Sequence, residues 1–316
     1  MSRVHIYVIY TLIGLLGLWV LASKSQSAQP SMILTQSGDT TFINFPDNYK
    51  VYTFDVPKDL KFAGERVPLE QPDVLERFER EIYVNTYWNS NTILTIKRAG
   101  IWLPQMEKIL EKNGVPTDFK YLAVIESGLL NVVSPARATG FWQILPKTGE
   151  ELGLEINDEI DQRYDPIAST EAACKYLLSA YERFGSWTDV AASYNMGRTG
   201  LLRRMDEQKV DSYYDLLLNE ETSRYVFRIL AMKEIFEKPK TYGYEINGIY
   251  QPIELREVEV TQSIKDLAVF AQEQGINYKI LKLYNPWLRK PQLTVRKGKS
   301  YTIHIPVSYG GKSPAL

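Results

Sequence analysis

The chain has 316 residues, with 44% hydrophobic and 24% charged residues and a formal net charge of −1. That is enough apolar sequence for a sizeable core and enough length for two domains, and the near-zero charge excludes a global field that recruits nucleic acid. One cysteine, Cys174, and two histidines, His5 and His304, far apart in sequence, exclude an intrachain disulfide and make Ser-His-Asp, Cys-His and common zinc chemistry poor candidates.

The chain opens on an uncharged apolar run, Ile6 to Ala22, preceded by Arg3 and followed by "SKSQSA". It is close to the lower limit of about 17 residues for a membrane span and also fits the apolar region of a secretory signal. Residues 1–28 are therefore a signal peptide or a membrane anchor. Either sends the rest out of the cytoplasm. Residues 29–89 are an extension. Within it "NYKVYTFDVP" alternates like a strand, and a helix begins near Asp73 with Leu75, Phe78 and Ile82 on one face.

Helical patterns then dominate. Helices are expected at Thr92–Arg98, at Pro104–Lys112 with a stop at Asn113-Gly114, and from a Thr117 cap to Glu126. Further ones follow Asp165-Pro166, Thr188 and Ser223, the last running to Phe236. Loops are expected at 128–147, 153–165 and 196–200. Residues 239–255 read as a linker. From 256 to 307 the order is strand, helix, helix, strand: "REVEV", a capped helix over "SIKDLAVFAQEQG" stopped by Gly275, a helix over "NYKILKLYNP", and "YTIHIP". Residues 308–316 are a tail. The fold class is mainly α, with a small βααβ module.

In "DFKYLAVIESG" an apolar helix ends on a carboxylate, Glu126. Desolvation and the negative end of the helix dipole both disfavour its charge. A carboxyl group held protonated in this way can donate a proton to a leaving oxygen near neutral pH. The alternative on position alone is a solvated glutamate beside the Ser127-Gly128 turn.

The surrounding residues resemble the lytic transglycosylases, whose catalytic domain is related to goose-type lysozyme. Glu126-Ser127 stands for the first motif and Gly140-Phe141-Trp142-Gln143 for the second. Ser193-Tyr194-Asn195-Met196-Gly197 stands for the third, and Tyr225 lies in the Glu-Thr-x-x-Tyr-Val setting of a later helix. The chain departs from the family pattern at Asn131-Val132, where Asn-Pro is frequent, and at Ser193, where alanine is usual. The resemblance covers residues 90–238 and implies a lysozyme-like helical transglycosylase domain. "FAGERVPL", "NTYWNSNTILTIKR" and "KNGVPTDFKYLAVIES" narrow it to the membrane-bound lytic transglycosylase D group. Residues 256–307 resemble a divergent LysM module that keeps "YNPWL" but has Thr261-Gln262-Ser263 in place of Gly-Asp-Thr.

The resemblance implies cleavage of the MurNAc-β-1,4-GlcNAc bond of peptidoglycan with 1,6-anhydro ends, with Glu126 as the catalytic acid and base. Ser127, Gln143, Tyr194, Asn195 and Tyr225 would contact substrate. Gln143 and Asn195 would bond its amide and hydroxyl groups. Tyr225 would orient Glu126 or donate to the N-acetyl carbonyl. Ser127 would bond substrate or only cap the helix. Phe141 would form an apolar wall, and Trp142 would stack on a sugar or sit in the core. No cofactor and no metal are implied. The partners implied are peptidoglycan glycan strands and, if the N-terminal segment is retained, a membrane. Asp158, Glu159 and Asp161 form an acidic loop, read as solvated, with cation binding or a second carboxylate as the alternatives. A hydrolysing muramidase and a non-catalytic wall-binding protein are the rival functions.

Overall fold

The computed structural model describes residues 31–34, 40–43 and 51–309. The expected signal or anchor, residues 1–28, and residues 310–316 lie outside them. The chain divides into two compact units, residues 1–55 and 56–316. Of the first, strands β1 (Ser31–Leu34) and β2 (Thr40–Ile43) pair antiparallel, Ser31 opposite Ile43. Residues 51–57, where alternation predicts a strand, have no regular structure.

The second unit begins with a two-residue ribbon, β3 (Lys61–Phe62) and β4 (Glu65–Arg66). Its turn presents Glu65 to the start of a later helix, whose first N–H groups have no partner within the helix. Glu65 accepts from Trp187 N at 2.6 Å, Thr188 N at 2.9 Å and Thr188 Oγ1 at 2.7 Å. Eight helices follow: α1 (Pro72–Tyr87), α2 (Asn89–Lys112), α3 (Lys120–Ser127), α4 (Pro146–Glu151), α5 (Pro166–Phe184), α6 (Trp187–Met196), α7 (Arg198–Gln208) and α8 (Glu220–Glu237). Helix α8 is the central one. Val226, Phe227, Ile229, Leu230 and Ala231 on it are wholly buried, and α1, α3 and α6 pack along it.

Several expectations are corrected. Thr92–Arg98 and Pro104–Lys112 are one continuous helix with Pro104 inside it. The hydrogen bond that proline cannot make is outweighed by a buried face of Thr92, Thr95, Ile96, Ala99, Leu103, Met106, Ile109 and Leu110. Thr117 caps nothing and instead opens a 3-10 turn, Thr117–Phe119. The adjacent Asp118 accepts from Ala63 N and Lys233 Nζ, tying the ribbon to α8. Ser186, not Thr188, caps α6, and Asn219, not a residue near Ser223, caps α8. The loop expected at 196–200 is the single residue Gly197, after which α7 begins.

The C-terminal module is built on β5 (Leu255–Val260) and β6 (Tyr301–Pro306), antiparallel with Val258 opposite Ile303. Between them lie α9 (Leu267–Glu273) and α10 (Tyr278–Tyr284). Asp266 caps α9, later than the sequence suggests. Ser263 instead pairs with Val295 N across the neighbouring loop. Leu267, Ala271, Leu281, Leu288, Leu293, Ile303 and Ile305 form its dry core. The mainly α class with a βααβ module is what the structure has. No helix among the described residues is long and apolar enough to cross a membrane.

Candidate active site

Helix α3 is short, and its Tyr121, Leu122, Ala123 and Val124 are buried. It must therefore stop where the chain next meets solvent. Gly128 stops it in the left-handed conformation, φ 59°, which glycine adopts at little cost. Two arginines satisfy the free carbonyls of this end and oppose its dipole. Arg98 Nε donates to Gly128 O and Arg228 Nη2 to Ile125 O, both at 2.8 Å.

Glu126 points from that end into a cavity of about 270 Å³ lined also by Trp88, Asn91, Arg98, Ser127 and Arg228. Of the residues lining it, only Glu126 is a carboxylate. Burial pushes its pKa above the ordinary carboxylate value. The Tyr225 hydroxyl bond and the charge of Arg228 pull it back, and Glu221 adds to the rise. Tyr225 is buried and donates to Glu126 Oε1. Burial, then the charge of Glu126, lifts the phenol far above its usual range, so it stays a donor.

A second cavity, about 330 Å³, is lined by Gln143, Tyr176, Tyr194, Asn195 and Gly197. The structure thus brings Gln143, Tyr194 and Asn195 together, and places Ser127 beside Glu126. Tyr194 donates to Trp142 O at 2.7 Å. Asn195 is held from α8: its Nδ2 donates to Glu221 Oε1 at 3.0 Å, and its Oδ1 accepts from Thr222 Oγ1 at 2.8 Å. Gln143 has φ 47°, a left-handed conformation unusual for a residue with a side chain. Its Nε2 donates to Val132 O at 3.0 Å and Gly140 O at 2.9 Å, which fixes the loop and the amide together.

Ser127 is fully engaged within the protein. Its hydroxyl faces Ala123 O and Phe141 O, and it accepts from Leu129 N at 3.1 Å. A hydroxyl has one hydrogen, so the helix-capping alternative is the one its geometry fits. Trp142 is wholly buried and donates to Thr170 Oγ1 at 2.8 Å, which makes it a core residue and no stacking platform. Phe141 is buried edge-on to Trp102. Gly140 is required twice over: φ is 83°, and an added Cβ would lie 1.9 Å from Arg163 O.

The acidic loop is not solvated as expected. Asp161 forms a two-pronged pair with Arg163, Nε–Oδ1 2.9 Å and Nη2–Oδ2 2.7 Å. Glu159 is bonded to Thr294 N at 2.7 Å. Only Asp158 is exposed. None of the three lines the Glu126 cavity, and no metal-ligand cluster exists among the described residues.

The sequence reading missed Arg98, Arg228, Glu221 and Thr222. The last three had a signal. Glu221 and Arg228 lie four before and three after Tyr225, on the same helix face, and Thr222 lies three before it.

Residues 105–216 match the family described as Transglycosylase SLT domain. Residues 256–309 match the Soluble lytic transglycosylase C-terminal LysM-like domain. The chain is 27% identical over 233 residues to the membrane-bound lytic murein transglycosylase D of Escherichia coli (strain K12), covering 71% of this chain and 50% of that protein. It therefore spans about half the length of the curated relatives it matches. Of solved structures, it is similar to the 70 kDa soluble lytic transglycosylase of Escherichia coli, 21% identical with TM-score 0.37, covering 47% of this chain and 26% of that one. It is also similar to the lytic transglycosylase Slt of Pseudomonas aeruginosa, 16% identical with TM-score 0.35, covering 47% and 25%. The two domain matches lie in this order along the chain, and over 71% of its length the chain is similar to a membrane-bound lytic murein transglycosylase D.

Proposed function

We propose that the protein is a peptidoglycan lytic transglycosylase that cleaves the MurNAc-β-1,4-GlcNAc bond and leaves 1,6-anhydro-MurNAc ends. The observation that carries this reading is Glu126: a desolvated carboxyl group, raised in pKa, bonded by Tyr225, and the only carboxylate lining its cavity. Ordinary glycosidases use two carboxylates, one of them for water or as nucleophile. A reaction whose nucleophile is the substrate's own C6 hydroxyl needs one.

Glu126 donates its proton to the bridging oxygen as the bond to C1 breaks. The resulting carboxylate accepts the C6 hydroxyl proton as O6 bonds to C1, so the residue returns protonated and no water is consumed. Tyr225 steadies the carboxylate phase of this cycle by donating to it. Asn195, held by Glu221 and Thr222, retains one N–H and one acceptor site for substrate. Gln143 spends its N–H groups on the loop and offers its carbonyl oxygen. Tyr194 forms part of the wall, and Ser127 holds the end of α3 rather than the sugar. The partners in this reading are glycan strands, with the N-terminal segment as a membrane tether if retained. The site of action is the periplasmic side of the cell envelope.

The test is purified peptidoglycan incubated with the protein, its soluble products read by mass spectrometry before and after borohydride. Products one water lighter than hydrolysis products, and resistant to borohydride, are expected. Reducing ends would replace this reading with hydrolysis, and no products from a folded sample would replace it with wall binding.

A further inference from the structure

The segment 155–164 lies inside the SLT match, yet its central residue belongs to another core. Ile160 is 2% exposed and packs within the C-terminal module among Leu267, Leu281, Leu288 and Ile303. Backbone bonds join the two sides: Ile160 bridges Leu288, Asp161 N donates to Trp287 O at 2.9 Å, and Arg289 N donates to Glu159 O at 2.7 Å. The Glu159 carboxylate accepts from Thr294 N at 2.7 Å and Gln292 Nε2 at 3.0 Å. Arg289 lies over the Tyr164 ring at 3.8 Å, and Glu155 pairs with Lys299 at 2.8 Å. A module carried on a linker touches its neighbour through polar, exchangeable contacts. A shared dry core with a β-bridge is a different kind of joint.

The other end of the same segment holds the loop that presents Gln143. Arg163 Nη1 donates to Arg137 O at 2.8 Å and to Ile144 O at 3.1 Å. Asn131 Nδ2 donates to Tyr164 O at 3.0 Å. Gly140 packs against Arg163 O, and Gly140 O in turn receives Gln143 Nε2. Phe141 O accepts from Ser127, next to Glu126. Module, segment 155–164, loop 131–144 and site residues thus form one unbroken series of contacts.

We propose that the LysM-like module is a built-in brace for loop 131–144, and that Ile160 is the positioning residue through which it acts. The kinetic consequence rests on the transglycosylase reading, and the structural consequence does not. A packed interior transmits displacement because it has little free volume to absorb it. A small displacement of a positioning group is felt strongly in turnover.

The experiment compares the full chain with Ile160→Ala, Ile160→Val and the double variant Glu159→Gln/Arg289→Ala, well below their melting temperatures. The double variant removes the Glu159 charge and the Arg289–Tyr164 contact and so weakens the joint without emptying a core, should Ile160→Ala fail to fold. Hydrogen exchange is read by mass spectrometry over 131–144 and over α8, and turnover on soluble glycan fragments. Ile160→Ala and the double variant are expected to speed exchange in 131–144 while leaving α8 unchanged. Ile160→Ala is expected to lower kcat/KM roughly tenfold, and Ile160→Val to return both quantities to near the parent value. Unchanged exchange in 131–144 together with unchanged turnover would overturn the brace. A parent protein that releases no product would sink the transglycosylase reading, while the exchange comparison would still decide the brace.

Discussion

Glu126 is held in an unfavourable place, and its neighbours divide over it. Burial raises its pKa, while Tyr225 and Arg228 lower it without cancelling the rise. Glu126→Gln keeps the shape and removes the proton, and turnover should fall on the order of 10²- to 10⁴-fold, the usual worth of a general acid or base. The same variant should melt higher than the parent at neutral pH. The folded protein holds the Glu126 proton more tightly than the unfolded chain, so stability falls as pH rises through the ordinary glutamate range to the raised folded value. The difference in melting temperature should therefore vanish in acid, where both states are protonated. Tyr225→Phe removes a bond that favours the charged form. If the acid step limits turnover, the alkaline limb of the kcat/KM profile should move to higher pH, and an unmoved limb would separate Tyr225 from the titration of Glu126.

Helix ends carry the element-scale predictions, because each places a residue of the site. Asn219 Oδ1 accepts from Thr222 N and opens α8, the helix of Tyr225 and Arg228. Asn219 is exposed, so Asn219→Ala loses the cap and little else, and should cost about 1 kcal/mol in denaturant melts. Two glycines of the site differ in kind. At Gly197, φ is 82° but nothing lies within 4 Å of an added Cβ, so Gly197→Ala costs backbone strain of about 1–3 kcal/mol. At Gly140 the backbone of Arg163 occupies the space as well. Gly140→Ala should therefore be the more damaging by a clear margin in melting temperature, and equal losses would contradict the close approach.

At the scale of the molecule, the Asp161–Arg163 pair binds the loops together. Both side chains are nearly buried, 11% and 8% exposed, and Arg163 also serves two loop carbonyls. Arg163→Ala leaves a buried carboxylate and two carbonyls without their donor, and should destabilise by about 3–5 kcal/mol. A loss near zero in thermal or denaturant unfolding would mean that water replaces the guanidinium.

What could be read from residues alone was what depends on near neighbours. Apolar spacing marked most of the helices and both strands of the module, because a helix or strand must bury one face whatever it packs against. The order Glu126, Gln143, Asn195, Tyr225 marked a candidate site by resemblance. Caps moved by a few residues, at Ser186, Asn219 and Asp266, because several nearby polar side chains can serve a helix start and packing selects one. Pro104 was read as a boundary because its missing hydrogen bond is local, whereas the buried face that keeps α2 whole is not. Ser127 and Trp142 could not be assigned beforehand, since their partners, Phe141 O and Thr170, come from other segments. The acidic loop was misread for the same reason. Charges in a polar stretch look solvated until a second core encloses them: Glu159 finds its partners Gln292 and Thr294 far along the chain, and Ile160 has no periodic neighbours to announce the core it joins. Short-range order follows from pattern, but the pairing of distant groups depends on which surfaces meet when the whole chain collapses.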